Sequence, residues 1–581
     1  MNVKLPNKVQ KLIKNLSEEA LELLKHLSVI NTELETNVDR KIVQISYKIP
    51  NLDKLFNEMM DAGIIRKKDG RKDTYEFSTL HIQNTLKNLT DKESHKKAIE
   101  YYERKRKKFG VDLNDEIETL FHMVKIDPTE EMVNKFLKIA RDIEQFDLRY
   151  KTLIDIAEDL IKLESKYKAP ILVVLGDIYS IMGRSEDAER SYLDALEIYK
   201  KLAKKYYRIY LPYIAATEKN LGTLYTDLKR FEEAEMIYLD ALKVYKELEN
   251  QYYDIHSPEI NLTEKESEIS GEYIEKSYLD ELNAYSELLK QYYDVYIPDE
   301  TSIENHFGNV CIDMKLLEDI QDGSIDSPDS YKKLAKMCYD MYLTDVASTQ
   351  SSLGIIYSNE LKFKDAEQMH LEALKIKKKL AELYPDQVLP DLALTLIDLG
   401  DLYASQSKFE EAEPKYNEGL KISKQLAENY PEIYLYNVAI IQNTLGTVYT
   451  KLKKFEKVEP MYLDALKIFK IFANEDPKTY IFNVSEVKNN LGNFFMISGD
   501  LEKAESYLSK ALKADPSNSE ILYSIASLES LRNNQIRALE LLTKVLELDN
   551  SYVERVMLDE RFDKIRNLKE FKDLISKFIK E

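Results

Sequence analysis

At 581 residues the chain is longer than one hydrophobic core can organise, so several units or an extended array are expected. Gly and Pro number only 15 each, against 40 Tyr and 32% charged residues, which favours long amphipathic helices and argues against a large sheet. The net charge of −20 is uneven, because residues 1–110 carry 23 Lys and Arg against 16 Asp and Glu, and the remainder carries 60 against 87, which indicates two parts with different roles.

The N-terminal sequence MNVKLPNKVQKLIKN has no apolar run of signal-peptide length, and no later stretch approaches the roughly 18 apolar residues of a membrane span. We therefore expect a cytoplasmic protein. Cys311 and Cys338 lie 27 residues apart without a CxxC pairing. This usage fits two buried or idle thiols in a reducing compartment better than a disulfide framework.

Residues 17–80 have the pattern of a small α+β domain. The segments SEEALELLKHLSVI, NVDRKIVQISYKI and NLDKLFNEMMDAGII predict three short helices, the first capped by Ser17. The next segment, RKKDGRKDTYEFSTL, predicts a strand, a basic turn at Asp69-Gly70 and an alternating strand. Together they predict a winged helix-turn-helix within residues 1–110.

With the following piece HIQNTLKNLTDKESHKKAIEYYERK, residues 5–105 resemble the winged-helix segment of STAND-class signalling ATPases, which joins a nucleotide-binding module to a repeat array. The resemblance places His81 where a histidine of those ATPases can touch the nucleotide. No two glycines of this chain have the separation that a Walker A loop requires. We therefore expect His81 to be a packing or surface histidine.

The predicted wing carries a basic tip, and a second basic cluster follows at residues 104–108. Both suit contact with phosphates or with a partner. The tip consists of Arg66, Lys67, Lys68, Arg71 and Lys72. The candidate recognition helix, however, carries Asp53, Glu58 and Asp61, which would oppose entry into the major groove. Protein contact, a purely structural cap and, less favoured, nucleic-acid binding all remain open for this domain.

After a helical connector at residues 111–168, a Leu-Gly landmark recurs, mostly at steps of 46 residues. A Tyr or Phe follows each Gly by three residues, a small residue follows it by twelve, and usually Tyr and Ala follow four and three beyond that. Spacings of three and four place these residues on one helical face, so each unit is predicted to be a packed helix pair. The landmarks are Gly176, Gly222, Gly354, Gly400, Gly446 and Gly492, with Gly308, a shorter unit before it and Ala526 completing nine units over 169–550.

This order of residues resembles the tetratricopeptide repeat (TPR), in a longer form similar to that of kinesin light chain. The resemblance implies an all-α fold, a right-handed α-solenoid whose first helices line a concave groove, behind the small winged-helix domain. Residues 257–330 are irregular and are expected to be a distorted middle. Residues 551–581 are expected to be capping helices.

In the resembled solenoids, partner peptides lie along first-helix residues that face the groove. Asparagine amides there donate to and accept from an extended peptide backbone. The corresponding residues of this chain are Lys219, Thr223, Ser351, Asn359, Asp401, Asn443, Thr447, Lys451, Asn489 and Asn493.

No local catalytic or metal-binding motif is present in the sequence, because GxSxG, P-loop and HExxH patterns are all missing. We expect no enzyme, no cofactor and no metal. The first hypothesis is a protein-interaction scaffold or adaptor with a partner polypeptide in the groove. The alternatives are a winged-helix DNA-binding regulator with a TPR sensor and a detached C-terminal part of a STAND-type ATPase.

Overall fold

The computed structural model describes residues 16–28, 37–39, 52–62, 64–67, 74–77, 92–110, 113–140, 150–163, 165–205, 207–256 and 328–579. The chain forms two compact units, Met1–Thr349 and Gln350–Glu581. None of the described helices is both long and apolar enough to cross a bilayer.

The N-terminal part combines helices with a small antiparallel sheet. Its elements are α1 (Glu18–Ser28), β1 (Asn37–Asp39), α2 (Leu52–Asp61), β2 (Ile65–Lys67), β3 (Thr74–Phe77) and α3 (Lys92–Phe109). The strand order is β1-β3-β2, with Val38 opposite Tyr75 and Arg66 opposite Glu76. Leu23 of α1, Phe56 of α2 and Tyr101 of α3 share one hydrophobic core.

The structure confirms the predicted cap at Ser17 but not the start of the second predicted helix. Ser17 caps α1 as predicted, since its Oγ accepts from the backbone N–H of Ala20 at 3.2 Å. The second predicted helix, however, begins as a strand, because residues 37–39 form β1. Strand β3 supplies the hydrogen bonds that a helix would have formed internally, so tertiary pairing overrides the local helical pattern.

A short helical connector follows. It consists of α4 (Leu113–Ile126), α5 (Glu130–Ala140) and α6 (Tyr150–Leu160), and α4 packs on both α3 and α6. The first repeat helix packs against α5 and α6. The connector therefore covers the apolar face that the first repeat would otherwise expose.

Consecutive helix pairs pack as a repeat solenoid, with a first and a second helix in each pair. Within the described residues the pairs are α7 (Ser165–Ile181) and α8 (Ser185–Ala203), α9 (Tyr207–Asp227) and α10 (Phe231–His256), α11 (Pro328–Asn359) and α12 (Phe363–Ala381), α13 (Pro385–Ser405) and α14 (Phe409–Asn429), α15 (Pro431–Lys451) and α16 (Phe455–Glu475), α17 (Pro477–Ser498) and α18 (Leu501–Ala514), and α19 (Ser519–Leu531) and α20 (Gln535–Leu548). The two units expected within 257–327 lie outside the described residues.

A close contact between the repeat glycine and an aromatic ring joins the two helices of a pair. A methyl group added to Gly446 of α15 would lie 2.6 Å from the Tyr462 ring of α16, and the same holds at 2.8 Å for Gly222 and Tyr238. Only a residue without Cβ allows the ring to approach the first helix this closely. The recurring glycine is thus a packing residue.

The turn inside each pair also has one geometry. One residue in each has a positive φ: Gly183, Lys229, Leu361, Ser407, Lys453, Gly499 and Asn533. The following N–H then bonds back to the last turn of the first helix, for example from Lys454 to the carbonyl of Tyr449 at 2.9 Å. This pattern is a Schellman closure, and it sets the same reversal in each described pair.

Prolines begin four of the described first helices, since Pro328 is also the first residue of α11. Pro385, Pro431 and Pro477 each occupy the first turn of their helix, where the missing N–H has no partner to lose. Pro390 lies inside α13, five residues after the helix starts at Pro385.

The C-terminal segment packs on the last repeat. It comprises α21 (Tyr552–Leu558), a 3-10 turn (Glu560–Phe562), α22 (Asp563–Arg566) and α23 (Lys569–Ile579). Phe562, Phe571 and Phe578 are buried in one core with Tyr523 and Leu542 of the last pair. The segment thereby covers the apolar end of the stack.

Replacing Gly446 with alanine tests the glycine contact. We expect Gly446→Ala to lower the free energy of unfolding by about 1–3 kcal/mol, because the new methyl group forces the Tyr462 ring out of place. The control is Gly419→Ala, where the nearest atom, Ile397 Cγ1, would lie 3.4 Å from the methyl group. There we expect no loss, or a gain of up to about 1 kcal/mol from higher helix propensity. Urea unfolding followed by circular dichroism measures both, and equal effects would contradict the packing role.

Candidate functional site

One face of each first helix in the second unit stays at the surface, and its residues recur at spacings of three and four. These residues, which we call the first-helix stripe, are exposed or half-buried. The first-helix stripe consists of Leu394, Asp398 and Asp401 on α13, Tyr436, Ile440, Thr444, Thr447 and Lys451 on α15, and Phe482, Glu486, Asn490, Asn493 and Ile497 on α17.

Neighbouring first helices run in the same direction. Asn483 Nδ2 on α17 donates to Tyr436 OH on α15 at 3.3 Å, and seven residues further along, Asn490 Nδ2 donates to Asn443 Oδ1 at 3.0 Å. Equal steps along both helices require a parallel arrangement. Equivalent positions of the stripe therefore lie side by side on α15 and α17.

The stripe has an apolar part and a polar part. Towards the N-terminal ends of their helices, Leu394 and Phe482 are 50% and 58% exposed, and Ile440 is half-buried. Towards the C-terminal ends the stripe is mainly polar, with Thr447 among its members and Ile497 as the apolar exception. The surface can therefore receive apolar and polar groups of one ligand in adjacent places.

Asn443 and Asn489, two of the predicted groove residues, lie deeper than the stripe. Asn443 is 7% exposed, and its Nδ2 donates to Glu486 Oε1 at 2.9 Å while its Oδ1 accepts from Asn490. Asn489 is 3% exposed, and its Oδ1 has no hydrogen-bond partner. Asn443 therefore joins α15 to α17. That Asn443 or Asn489 contacts the backbone of a bound peptide stays a prediction.

Two other predicted residues, Lys219 and Ser351, occupy the same repeat position as Asn443 and also contact a neighbouring helix. Lys219 Nζ on α9 lies 3.3 Å from Asp345 Oδ1 on α11. Ser351 Oγ on α11 lies 3.3 Å from Thr395 Oγ1 on α13. Lys219, Ser351 and Asn443 therefore all use this repeat position for contacts between first helices.

Thr223, Thr447 and Asp401 are also held by hydrogen bonds but keep exposed surface. Thr223 Oγ1 lies 2.9 Å from Tyr238 OH, and Thr447 Oγ1 lies 3.0 Å from Tyr462 OH. The hydroxyl of Tyr416 donates to the Asp401 carboxylate in the same way. These bonds fix the side chains before any ligand arrives.

The remaining predicted positions differ in their surroundings. Asn359 and Lys451 are exposed at the C-terminal ends of α11 and α15. Asn493 Nδ2 donates to Ser524 Oγ at 3.0 Å, and its Oδ1 accepts from Arg561 Nη1 of the C-terminal segment at 3.1 Å. The C-terminal segment thus reaches the polar part of the stripe on α17.

The structure leaves the predicted basic wing largely untested. Arg66 and Lys67 lie in β2, but their side chains are outside the described set. Lys68, Arg71, Lys72 and His81 lie outside the described residues altogether.

The pair α11/α12 contains a buried polar cluster that the sequence analysis did not identify. His370 occupies the aromatic position against Gly354, and Lys377, 3% exposed, follows it by seven residues. Lys377 Nζ donates to Ser351 Oγ at 3.1 Å and to Thr395 Oγ1 at 2.9 Å. The signal was available, because three other described repeats have Tyr or Phe at both places: Tyr192 and Tyr199, Tyr238 and Tyr245, and Tyr462 and Phe469.

The cluster changes the titration of two side chains. Burial raises the pKa of the Asp398 carboxyl to about 6, and the nearby Asp401 carboxylate raises it further while Lys377 opposes the shift. Burial and the Lys377 ammonium lower the pKa of the His370 imidazole to about 4. A carboxyl of the stripe therefore titrates close to neutral pH.

Within the described ranges, no three His, Cys, Asp or Glu side chains are placed to hold a metal ion.

Comparison with known families identifies tetratricopeptide repeats in this chain. Family models described as tetratricopeptide repeat match residues 169–202, 219–256 and 485–518. The prediction that the Leu-Gly units are tetratricopeptide repeats is thereby confirmed for these three segments. No curated protein matches the sequence significantly.

Two solved structures illustrate the similarity. The Signal Transduction ATPase with Numerous Domains (STAND) protein with a tetratricopeptide repeat sensor from Pyrococcus horikoshii is 15% identical, with 96% of this chain and 67% of that chain covered and a TM-score of 0.44. BtubC (BKLC) from P. vanneervenii is 22% identical over 41% of this chain and 91% of its own, with a TM-score of 0.30.

The raised pKa of Asp398 predicts a pH-dependent stability difference. A carboxyl with a raised native pKa stabilises the fold below its unfolded pKa and loses that contribution as the pH rises through about 6. We expect Asp398→Asn to be more stable than the wild type at about pH 7.5, and this advantage to shrink by about 1 kcal/mol at about pH 5. Urea unfolding at both pH values measures the difference. An advantage that does not change with pH would be inconsistent with the assigned burial.

Proposed function

We propose that this chain, which contains tetratricopeptide repeats, is a non-catalytic cytoplasmic scaffold or adaptor that binds a partner polypeptide along the first-helix stripe. The observation that carries the proposal is the set of exposed apolar side chains beside hydrogen-bonded polar ones on parallel first helices. Tetratricopeptide repeats generally mediate protein–protein binding, which supports the same conclusion.

Exposed apolar side chains supply affinity for such a partner. Leu394 and Phe482 each leave half or more of their surface in water, and a partner that covers them gains about 25 cal/mol for each Å² of apolar area removed from water. Anchors of this kind carry much of the binding energy at protein interfaces. The apolar part of the stripe is therefore the proposed anchor site.

The polar part of the stripe supplies orientation. Thr447 and Asp401 are already fixed by tyrosine hydroxyls, so less side-chain freedom is lost when a ligand binds. Asp398 and Asp401 make the α13 portion acidic above about pH 6. We propose that the bound polypeptide places apolar side chains near Leu394 and Phe482 and a basic or amide side chain near α13.

The N-terminal part is proposed to be a winged-helix domain that docks a second protein. The antiparallel sheet β1-β3-β2 beside α1 and α2 supports the domain assignment. The exposed face of α2 carries Asp53 and Asp61 against Lys54. This charge disfavours insertion of α2 into the major groove of DNA.

Removing the apolar anchors tests the binding surface. We expect the double variant Leu394→Gln with Phe482→Gln to lose the polypeptides that co-purify with the wild type, or to bind them at least about tenfold more weakly, because both anchors lose apolar contact. Quantitative mass spectrometry of co-purified proteins identifies the partner. Titration of that partner against purified chains then measures the affinity.

The matched control is Leu371→Gln with Leu463→Gln, which changes two exposed leucines on the second helices α12 and α16. This variant should retain the partner, and both variants should keep the helicity of the wild type. Equal retention by the two double variants, or equal loss, would overturn the assignment of the stripe.

The proposed role of the N-terminal domain makes a separate prediction. We expect the full chain to produce no shift of duplex DNA in a gel assay at about 0.15 M salt, because α2 would bring negative charge to the phosphates. A shift that is abolished by neutralising Arg66, Lys67, Lys68, Arg71 and Lys72 together would instead establish the DNA-binding alternative.

A further inference from the structure

Each first helix has a recurring slot, the position four residues before the repeat glycine, which faces the second helices. In α9 the slot residue is Glu218, whose carboxylate lies 2.8 Å from Lys200 Nζ on the preceding second helix α8. Burial raises the pKa of the Glu218 carboxyl most strongly, and the charge of Asp240 on α10, the second helix of the same pair, raises it as well. The slot residue thus lies between two second helices.

Other slots have complementary partners. In α11 the slot residue Gln350 donates through Nε2 to Glu372 Oε2 of α12 at 2.6 Å. In α15 the slot residue Gln442 donates through Nε2 to Asp464 Oδ2 of α16 at 3.5 Å. In α7 and α13 the slot residue is a leucine, Leu172 and Leu396 respectively. The polar slots of α9, α11 and α15 each hold an acid beside a base or an amide beside an acid.

The slot of α17 breaks this rule. The slot residue of α17 is Lys488. Lys470 on the preceding second helix, α16, occupies the repeat position of Lys200. Lys510 on α18, the second helix of the same pair, occupies the repeat position of Asp240. Burial together with the charges of Lys470 and Lys510 lowers the pKa of the Lys488 ammonium. In the other polar slots, residues at these repeat positions contact the slot residue at 2.6–3.5 Å, so three helices bring like charges to the α17 slot.

No carboxylate in the described part of the chain forms an ion pair with any of the three lysines. Glu486, two residues before Lys488, accepts instead from Asn443, and Asp464 accepts from Gln442. Lys510 contacts only a ring face in this region, with Nζ 5.4 Å from the Tyr507 centroid. Among the polar slots that the structure describes, only that of α17 lacks a complementary partner, although the chain has a net charge of −20.

We propose that Lys470, Lys488 and Lys510 form a binding site for a tetrahedral oxyanion of the phosphate class, either free or carried on a phosphorylated side chain. A phosphate group carries about −1.5 to −2 charges and several acceptor oxygens, so one group can contact ammonium groups from three helices. A single carboxylate brings one charge and leaves the repulsion largely in place.

This site is separate from the first-helix stripe. At 100° per residue, Lys488 points to the side of α17 opposite Glu486 and Asn490, which belong to the stripe. The anion site therefore lies on the second-helix side of the array. Its failure and the failure of the proposed polypeptide binding are distinguishable, because different variants test them.

The test titrates the full chain with inorganic phosphate at constant ionic strength and pH, using calorimetry and the thermal unfolding midpoint. A ligand that binds the native state raises that midpoint. We expect Lys488→Gln to weaken phosphate binding by about tenfold or more, since it removes the central charge. The control Lys424→Gln changes the exposed lysine at the equivalent position beside the Gln442 slot, and it should bind phosphate like the wild type.

A second variant keeps the proposal testable if Lys488→Gln alters the fold. Lys488→Glu reproduces the charge order of the Lys200–Glu218 slot, so without phosphate it should unfold at a higher temperature than the wild type and show no response to phosphate. A lower unfolding temperature for Lys488→Glu would overturn the proposal.

Two short peptides, one containing phosphoserine and one containing serine at the same position, distinguish a phosphorylated partner from free phosphate as the source of the anion. Tighter binding of the phosphoserine peptide than of inorganic phosphate, with competition between them, supports a phosphorylated partner. Tighter binding of inorganic phosphate supports a free anion. If neither probe binds in a way that Lys488→Gln removes, the site does not exist.

Discussion

The contact between a glycine and an aromatic ring is the constraint on which the repeat geometry depends. With no Cβ on Gly446, the Tyr462 ring lies directly against the first helix and its hydroxyl reaches Thr447 in the next position. Gly222, Tyr238 and Thr223 repeat the arrangement in the first unit. The ring thus sets the separation of the two helices, and its hydroxyl sets their rotation.

Because the glycine side of a first helix is used by its own second helix, the other sides take separate tasks. One side joins neighbouring first helices, as Asn443 does with Glu486 and Asn490. Another faces the second helices at the slot that holds Glu218 or Lys488. The stripe is the face whose side chains keep exposed or half-buried surface, which is why a ligand-binding role is proposed for it.

Departures from the repeat pattern carry the chemistry. Where His370 and Lys377 replace aromatic residues, a buried cation and hydroxyl groups replace apolar packing. The Lys377 ammonium lowers the pKa of His370 and opposes the rise that burial causes in the pKa of Asp398. Where Lys488 replaces an acid or an amide, three like charges meet without a counter-charge.

The sequence by itself determined the helix pairs, their spacing, the packing role of the repeat residues and the cap Ser17. These features follow from local propensity and from the recurrence of the same residues at a fixed spacing. Only the tertiary structure decided that Val38 belongs to a strand, that Asn443 lies in a contact between helices and that Asn489 is buried. The reason is that burial and partners depend on residues far apart in the chain, such as the 43 positions between Asn443 and Glu486. The same dependence brings Lys470, Lys488 and Lys510 from three helices to one slot, which no local pattern contains.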